Sequence, residues 1–168
     1  RCHWPPCRVA TALLVAYQGL MTEIAFHFNA PDKVAYACRL LRKAVAANAK
    51  VLVLVPQEKM AQLDESLWTF SQLEFLAHCG MDSPQALRQA SPVHLATNLD
   101  AMDAFTPRDV LLNLSDTVCV GFEQFVRVIE VVTLDDADRQ HARSRWKQYT
   151  DQGFDIVRHD LKLKESVT

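Results

Sequence analysis

Glycine is scarce in this chain of 168 residues, which has only four. From Met21 onward they are Gly80, Gly121 and Gly153, and each lies where a turn or a helix end is expected. Neither Gly-x-Gly-x-x-Gly nor Gly-x-x-x-x-Gly-Lys occurs. Backbone amides therefore cannot cradle phosphates in the way those loops do, which argues against a nucleotide-binding enzyme of either kind.

Paired cysteines and metal-ligand spacings are also missing. The five cysteines are scattered, odd in number and without a Cys-x-x-Cys pair, which favours a reducing cytoplasm over a disulfide framework. Cys2, His3 and Cys7 supply three ligands at most, and neither His-x-x-x-His nor His-Glu-x-x-His occurs. His78 and Cys79 point to opposite faces of an extended segment, so they are not a nucleophile and base. No metal, cofactor or catalytic residue is expected.

A strong positive charge is absent as well, since the formal net charge is -2. DNA, RNA and anionic membranes usually bind proteins with a large positive field, so bulk electrostatics do not favour them as partners. If the protein binds an anion, the binding must depend on a local group of cationic side chains.

No apolar run is long enough to span a bilayer. Residues 9–17 are apolar, but they are too few, and no convincing cleavage site for a signal peptide follows them. Because Met21 looks like a natural start, residues 1–20 are interpreted as upstream sequence or as a peripheral helix. The domain is then expected over 21–160, followed by a polar tail over 161–168.

What is present is an alternation of strand and helix patterns. Apolar runs predict the strands, and apolar residues at helical spacing or an ordered change of charge predict the helices. The expected strands are 23–28, 50–55, 92–97, 109–114, 126–132 and 154–158, with a short one near 74–77; the expected helices are 33–48, 58–68 and 134–152, with a helical turn at 122–125.

This order is typical of a three-layer α/β domain, with a mostly parallel central sheet and helices on both faces. The run 50–55 is unbroken by polar residues after Lys50, as in a strand covered on both sides. The loop after the first strand, residues 29–32, contains no glycine. The expected fold is therefore Rossmann-like but without a phosphate-binding loop.

The helix at 134–152 begins acidic, becomes basic and ends at a glycine, the charge order that a helix dipole favours. Arg139, Arg143 and Lys147 follow at i, i+4 and i+8, and Trp146 falls beside them. Such a stripe is either a solvated face that serves solubility or a receptor for an acidic ligand. Two features favour the receptor. An indole lies within the stripe, and only Arg139 has an acidic residue, Asp135, four positions before it.

A second candidate surface lies after the second expected helix. Trp68, Phe70 and Phe75 are large aromatics in a segment without a regular pattern. They form either the core of a protein interface or part of the domain core.

Four blocks of the sequence form a recognisable series. They are Leu-Asp-Glu-Ser-Leu-Trp at 63–68, the strand at 109–114, Phe-Glu-Gln-Phe at 122–125 running into 128–132, and the helix 142–149 that closes at Gly153 and Phe154. Together they resemble the chi subunit of bacterial DNA polymerase III, over residues 21–160. Their order and spacing make the resemblance fairly specific.

The resemblance implies a cytoplasmic adaptor for DNA replication without catalysis of its own. Chi-like proteins pair with the psi subunit of the clamp loader and bind the acidic C-terminal tail of single-stranded DNA-binding protein, which ends in phenylalanine. The resemblance indicates that Arg143 binds that tail, with Arg139, Trp146 and Lys147 around it. For psi it points to Trp68, Phe75 and Val132. The alternatives are a small nucleotide-dependent or hydrolytic α/β enzyme and weak direct DNA binding.

Overall fold

The structure is a computed structural model that describes residues 21–162. It contains seven strands and four α-helices. The strands are β1 (Glu23–Ala30), β2 (Val51–Leu54), β3 (His78–Gly80), β4 (Val93–Ala96), β5 (Val110–Asn113), β6 (Arg127–Thr133) and β7 (Ile156–Asp160); the helices are α1 (Lys33–Ala46), α2 (Gln57–Thr69), α3 (Gln85–Ala90) and α4 (Asp136–Asp151), with a 3₁₀ turn at Phe122–Gln124. The expectations for segment 1–20, for Cys2, His3 and Cys7, and for the tail beyond 162 fall outside these residues.

All seven strands pair in parallel, in the order β3-β4-β2-β5-β6-β1-β7. Val51–Leu54 lies between β4 and β5, and all four of its residues are buried. Each such side chain contributes about 1.5 to 3 kcal/mol by leaving water. The apolar run at 50–55 is thus a central strand, and the predicted three-layer α/β fold is confirmed.

Helices cover both faces of the sheet. On one face, α1 and α2 bury a stripe of apolar side chains that includes Val34, Leu41 and Leu63. On the other face, α4 and the 3₁₀ turn cover the sheet, and Tyr149 and Phe122 are among the residues buried there. A β-strand presents alternate residues to opposite faces, which is how one sheet supports two separate cores.

The structure corrects the sequence prediction in the stretch between α2 and β4. Residues 74–77 are not a strand; the strand is His78–Gly80, and it includes Gly80, which was expected to lie in a turn. The turn follows the strand, and Gly80 packs against Asp82 instead of adopting a positive φ. The helix Gln85–Ala90 was not predicted, because it buries no residue and so carries no apolar stripe.

Two smaller corrections concern the ends of the domain. β1 runs on to Ala30, so the expected loop at 29–32 is shorter. Of the two caps that the sequence offers for α1, Asn29 and Asp32, the structure has Asp32, whose side chain accepts from the Ala35 amide at 2.7 Å. Leu161 packs half-buried against the core instead of opening a polar tail.

Among the described residues, no helix is long and apolar enough to cross a membrane. Over the same range, histidine, cysteine and acidic side chains do not gather in groups of three or more that would suit a metal ion.

Candidate functional site: an arginine cleft beside helix α4

The candidate site depends on how α4 is fixed to the sheet at its start. The Asp135 carboxylate caps the helix by accepting from the Asp138 amide at 3.1 Å. Asp138 itself is buried, and its carboxylate accepts from Lys33 Nζ at 2.8 Å and from the Thr133 amide at 2.7 Å. These contacts join the first turn of α4 to the start of α1 and to the end of β6.

Further along, α4 is fixed by a buried polar cluster. Arg145 Nε donates to one oxygen of Glu130 at 2.9 Å, and Tyr149 Oη and Asn113 Nδ2 donate to the other at 2.6 and 2.9 Å. Burial raises the pKa of Glu130, and the Arg145 guanidinium opposes that shift. The Arg145 and Asn113 nitrogens and the Tyr149 hydroxyl together provide hydrogen bonds to both oxygens of this buried carboxylate.

With Ala142, Arg145 and Tyr149 turned into the protein, α4 directs its arginine stripe toward β1 and β7. There the structure has an open cleft of about 420 Å³, which we call the arginine cleft, lined by Phe28, Asn29, Arg139, Arg143, Trp146 and Arg158. It lies at the carboxyl end of β1, where α/β domains commonly bind their ligands.

Aromatic rings form the apolar part of the arginine cleft. The Trp146 ring lies 5.0 Å from Phe26 and 6.0 Å from Phe28, centroid to centroid. The Arg158 guanidinium lies over the Phe28 ring at 4.8 Å. The cleft therefore combines a flat apolar surface with cations, which suits a ligand that carries both an apolar group and an acid.

The three arginines of the cleft differ in their partners. Arg139 donates to Asn29 Oδ1 at 3.2 Å, and Arg158 lies 3.9 Å from the Asp160 carboxylate. Arg143 is exposed and makes no ion pair or side-chain hydrogen bond within residues 21–162. Its five donors are available to an incoming carboxylate.

The sequence predicted some members of this site and missed others. Arg139, Arg143 and Trp146 lie together in the cleft, whereas Lys147 is exposed on α4 and does not line it. Phe28, Asn29 and Arg158 were missed, because only the parallel pairing of β1 with β7 brings them to α4. A signal was present in Phe26 and Phe28, two aromatics on the same face of a strand.

The segment after α2 exposes a group of large apolar side chains. Trp68 and Phe75 are 57% and 64% exposed, and their rings contact at a centroid distance of 4.8 Å. Phe70 and Leu73 are exposed beside them, and we call these four residues the aromatic surface. The alternative that the aromatics belong to the domain core is therefore wrong. A monomer rarely leaves such a group of large apolar side chains in water.

Comparison with known proteins identifies the family. Residues 21–157 match the family described as DNA polymerase III chi subunit, HolC. The chain belongs to this chi family. It is 30% identical over 125 residues to the DNA polymerase III subunit chi of Haemophilus influenzae, covering 71% of this chain and 81% of that protein.

Two further chi subunits give the same result. The Pseudomonas aeruginosa protein is 29% identical over 150 residues, which cover 84% of this chain and 98% of that protein. The Escherichia coli protein is 28% identical over 121 residues, which cover 71% and 79%. Chi is an accessory subunit of the polymerase, not a catalytic one.

The structure also defines the surroundings of His78 and Cys79. His78 Nε2 lies 2.8 Å from Asp64 and its Nδ1 lies 2.8 Å from the Leu76 carbonyl oxygen, so both ring nitrogens are engaged. Burial raises the pKa of the Cys79 thiol, which keeps it protonated and a poor nucleophile.

One of the three residues that the chi resemblance indicated for psi is not on the surface. Val132 is 0% exposed and packs in the core beneath α4, on the opposite face of the sheet from α2. The prediction that Val132 contacts a partner directly is therefore wrong for this fold. Trp68 and Phe75 remain accessible.

Proposed function

We propose that this chi-family chain is a non-catalytic adaptor of the bacterial DNA polymerase III holoenzyme, acting in the cytoplasm. It links the clamp loader, through the psi subunit, to the acidic C-terminal tail of single-stranded DNA-binding protein. The arginine cleft binds the tail, and the aromatic surface binds psi.

The observation that carries the proposal is the unpaired Arg143 in a cleft walled by Trp146 and Phe28. A peptide that ends in phenylalanine brings an aromatic ring and a free carboxylate to the same place. The ring fits against the two aromatic walls, and Arg143 can bind the carboxylate with two parallel hydrogen bonds. Lys147, exposed one turn further along α4, lies outside the lining of the cleft and adds to the local positive charge that attracts an acidic peptide.

A protein carboxylate suits this cleft better than a nucleic-acid phosphate. The formal net charge of the chain is -2, so the cations act locally and produce no extended positive field. A DNA-binding groove would carry cations along a track matched to the phosphate spacing, whereas the cations of the arginine cleft lie around an apolar slot.

The aromatic surface suits an apolar partner such as psi. Beside it, a depression of about 370 Å³ is lined by residues that include Phe70, Phe75 and Leu67, with the Arg42–Glu74 ion pair (2.6 Å) at its side. Aromatic anchors surrounded by polar groups are the usual composition of an interface centre.

The direct test is titration of a peptide ending in an acidic run and a phenylalanine with a free carboxylate. Arg143→Ala should weaken binding by about 1 to 3 kcal/mol, the range for a hydrogen bond to a charged group. Calorimetry or fluorescence anisotropy measures the change, and added salt should weaken the parent's binding.

Lys59→Ala is the control, because Lys59 is exposed on α2 and makes no ion pair within the described residues. It should bind the peptide as the parent does. A peptide with an amidated C-terminus should lose most of the affinity. If Arg143→Ala binds as tightly as the parent, the assignment of the arginine cleft is wrong.

A further inference from the structure

A second cleft adjoins the arginine cleft. It has a volume of about 380 Å³, and Asn29 lines both clefts. Asn29 lies at the end of β1 with a φ of 67°, and its amide donates to Asp160 at 2.8 Å. One residue therefore separates two cavities on the same side of the protein.

The second cleft, like the first, combines cations with apolar side chains. Its cations are Arg39 and Lys43 from α1 and Lys162 from the segment after β7, and its apolar part includes Leu40, Leu134 and Leu161. All three cations are exposed, and none has an ion pair within the described part of the chain. Arg39 lies over the Tyr36 ring at 5.6 Å, which holds its guanidinium at the cleft.

The placement of Arg39 and Lys43 is unfavourable for α1 by itself. They stand at i and i+4, where like charges repel and destabilise the helix. Nothing acidic on α1 relieves this repulsion, because Lys33–Ala46 contains no aspartate or glutamate. An external anion would relieve it.

Three acidic groups on the segments around the second cleft are engaged within the protein. Asp160 accepts from Asn29 and from the Lys162 amide at 3.1 Å, and these bonds lower the pKa of its carboxyl group. Asp32 is occupied in capping α1. Asp138 is buried and bound to Lys33. Arg39 and Lys43 therefore have no ion-pair partner in the described part of the chain. Lys162 contributes to the lowered pKa of Asp160 through its charge, but it makes no ion pair with that carboxylate.

We propose that the second cleft binds the acidic stretch of the same peptide whose C-terminus occupies the arginine cleft. The inference rests on the proposed function and extends it. The terminal aromatic residue and carboxylate lie between Trp146 and Arg143, the chain passes Asn29, and preceding aspartates lie among Arg39, Lys43 and Lys162. Charge complementarity favours this occupant, since three unpaired cations face a run of carboxylates.

The experiment compares two acetylated peptides with free C-termini. The short peptide has a single aspartate before the C-terminal phenylalanine, and the long peptide has a run of aspartates extending further upstream. Lys43→Glu should weaken binding of the long peptide about three- to tenfold, the effect of an exposed charge pair that becomes repulsive, and should leave the short peptide unchanged.

Lys59→Glu is the matched control, because it changes the net charge equally on another exposed helix position. The proposal predicts that it affects the long peptide much less than Lys43→Glu does. Equal effects of the two variants would overturn the proposal, since the net charge alone would then explain them. An unchanged affinity of Lys43→Glu for the long peptide would also overturn it.

The proposed function has a separate outcome. If the parent binds neither peptide, the adaptor function itself is wrong, and the second cleft with it. If the parent binds the short peptide but Lys43→Glu has no specific effect, only the second cleft is wrong. Binding of a single-stranded oligothymidine that is lost in Lys43→Glu, with both peptides unaffected, would assign the cleft to nucleic acid instead.

Discussion

Arg143 and Arg145 are near neighbours on α4, yet their surroundings are opposite. Arg143 lies in the arginine cleft, exposed and without an ion pair in the described structure. Arg145 is 1% exposed, and its guanidinium bonds Glu130 and the Asp116 carbonyl oxygen at 3.1 Å. Residue type and spacing do not separate them, because a helix turns about 100° per residue and directs the two side chains to different sides.

At the residue scale we therefore expect different consequences for stability. Arg145→Met should lower the free energy of unfolding by about 3 to 5 kcal/mol, because it leaves the Glu130 carboxylate buried and without its cation. Arg143→Ala should change it by less than about 0.5 kcal/mol, as for most surface substitutions. Urea denaturation followed by circular dichroism measures both.

A second variant tests the reason for the loss in Arg145→Met. Adding Glu130→Gln to Arg145→Met removes the buried charge, so the double variant should recover part of the stability. If Arg145→Met unfolds at the same urea concentration as the parent, the buried ion pair does not hold α4 on the sheet.

At the scale of the element, the first turn of α4 decides where the helix begins. Burial alone would raise the pKa of Asp138, but hydrogen bonds from Lys33 and Thr133 outweigh it and hold the pKa below the usual range. A depressed pKa in the folded state contributes stability above the unfolded pKa, which is about 4. That contribution is lost as the pH falls through the folded pKa.

Asp138→Asn should accordingly destabilise the protein at pH 7 by about 3 kcal/mol, since Lys33 then remains buried without its partner. Its stability should also fall less than that of the parent between about pH 4 and the lower folded pKa. Urea denaturation at a series of pH values checks this. Asp136→Asn is the control, because Asp136 is exposed in the same turn and should keep the parent's pH profile.

At the scale of the whole molecule, the two candidate surfaces are far apart in the architecture. The arginine cleft is on the α4 face near the edge strand β7, and the aromatic surface follows α2 on the other face, before the opposite edge strand β3. This separation is compatible with the proposed adaptor function, because two partners could then bind without competing.

We expect the two partners to bind independently. Trp68→Ala should weaken binding of psi by about 2 kcal/mol or more, as for an aromatic residue at an interface centre, and should leave the affinity for the acidic peptide unchanged. Arg143→Ala should have the reverse effect. Calorimetry measures the affinity of each variant for purified psi and for the peptide.

Leu87→Ala is the control for psi, because Leu87 is also an exposed large apolar residue but lies on α3. It should bind psi as the parent does. If Trp68→Ala and Leu87→Ala bind psi equally well, the aromatic surface is not the psi site.

Much of the fold was predictable because apolar patterns report burial. The strand Val51–Leu54 is buried on both faces, and α1 has one buried stripe, so both leave a clear pattern in the sequence. The elements that the sequence analysis did not predict correctly leave no such pattern. Helix α3 has no buried residue. Strand β3 has only three residues and lies at the edge of the sheet, where it pairs with β4 alone.

The sequence by itself determined the α/β class, the absence of a glycine-rich phosphate loop and a basic stripe on α4, because apolar periodicity, glycine positions and charge order are local properties. Only the tertiary structure decided what surrounds that stripe. Parallel pairing brings Phe28, Asn29 and Arg158 to Arg143, and packing buries Arg145 and Val132 while leaving Trp68 in solvent. Those outcomes depend on contacts between distant segments, which no local pattern records.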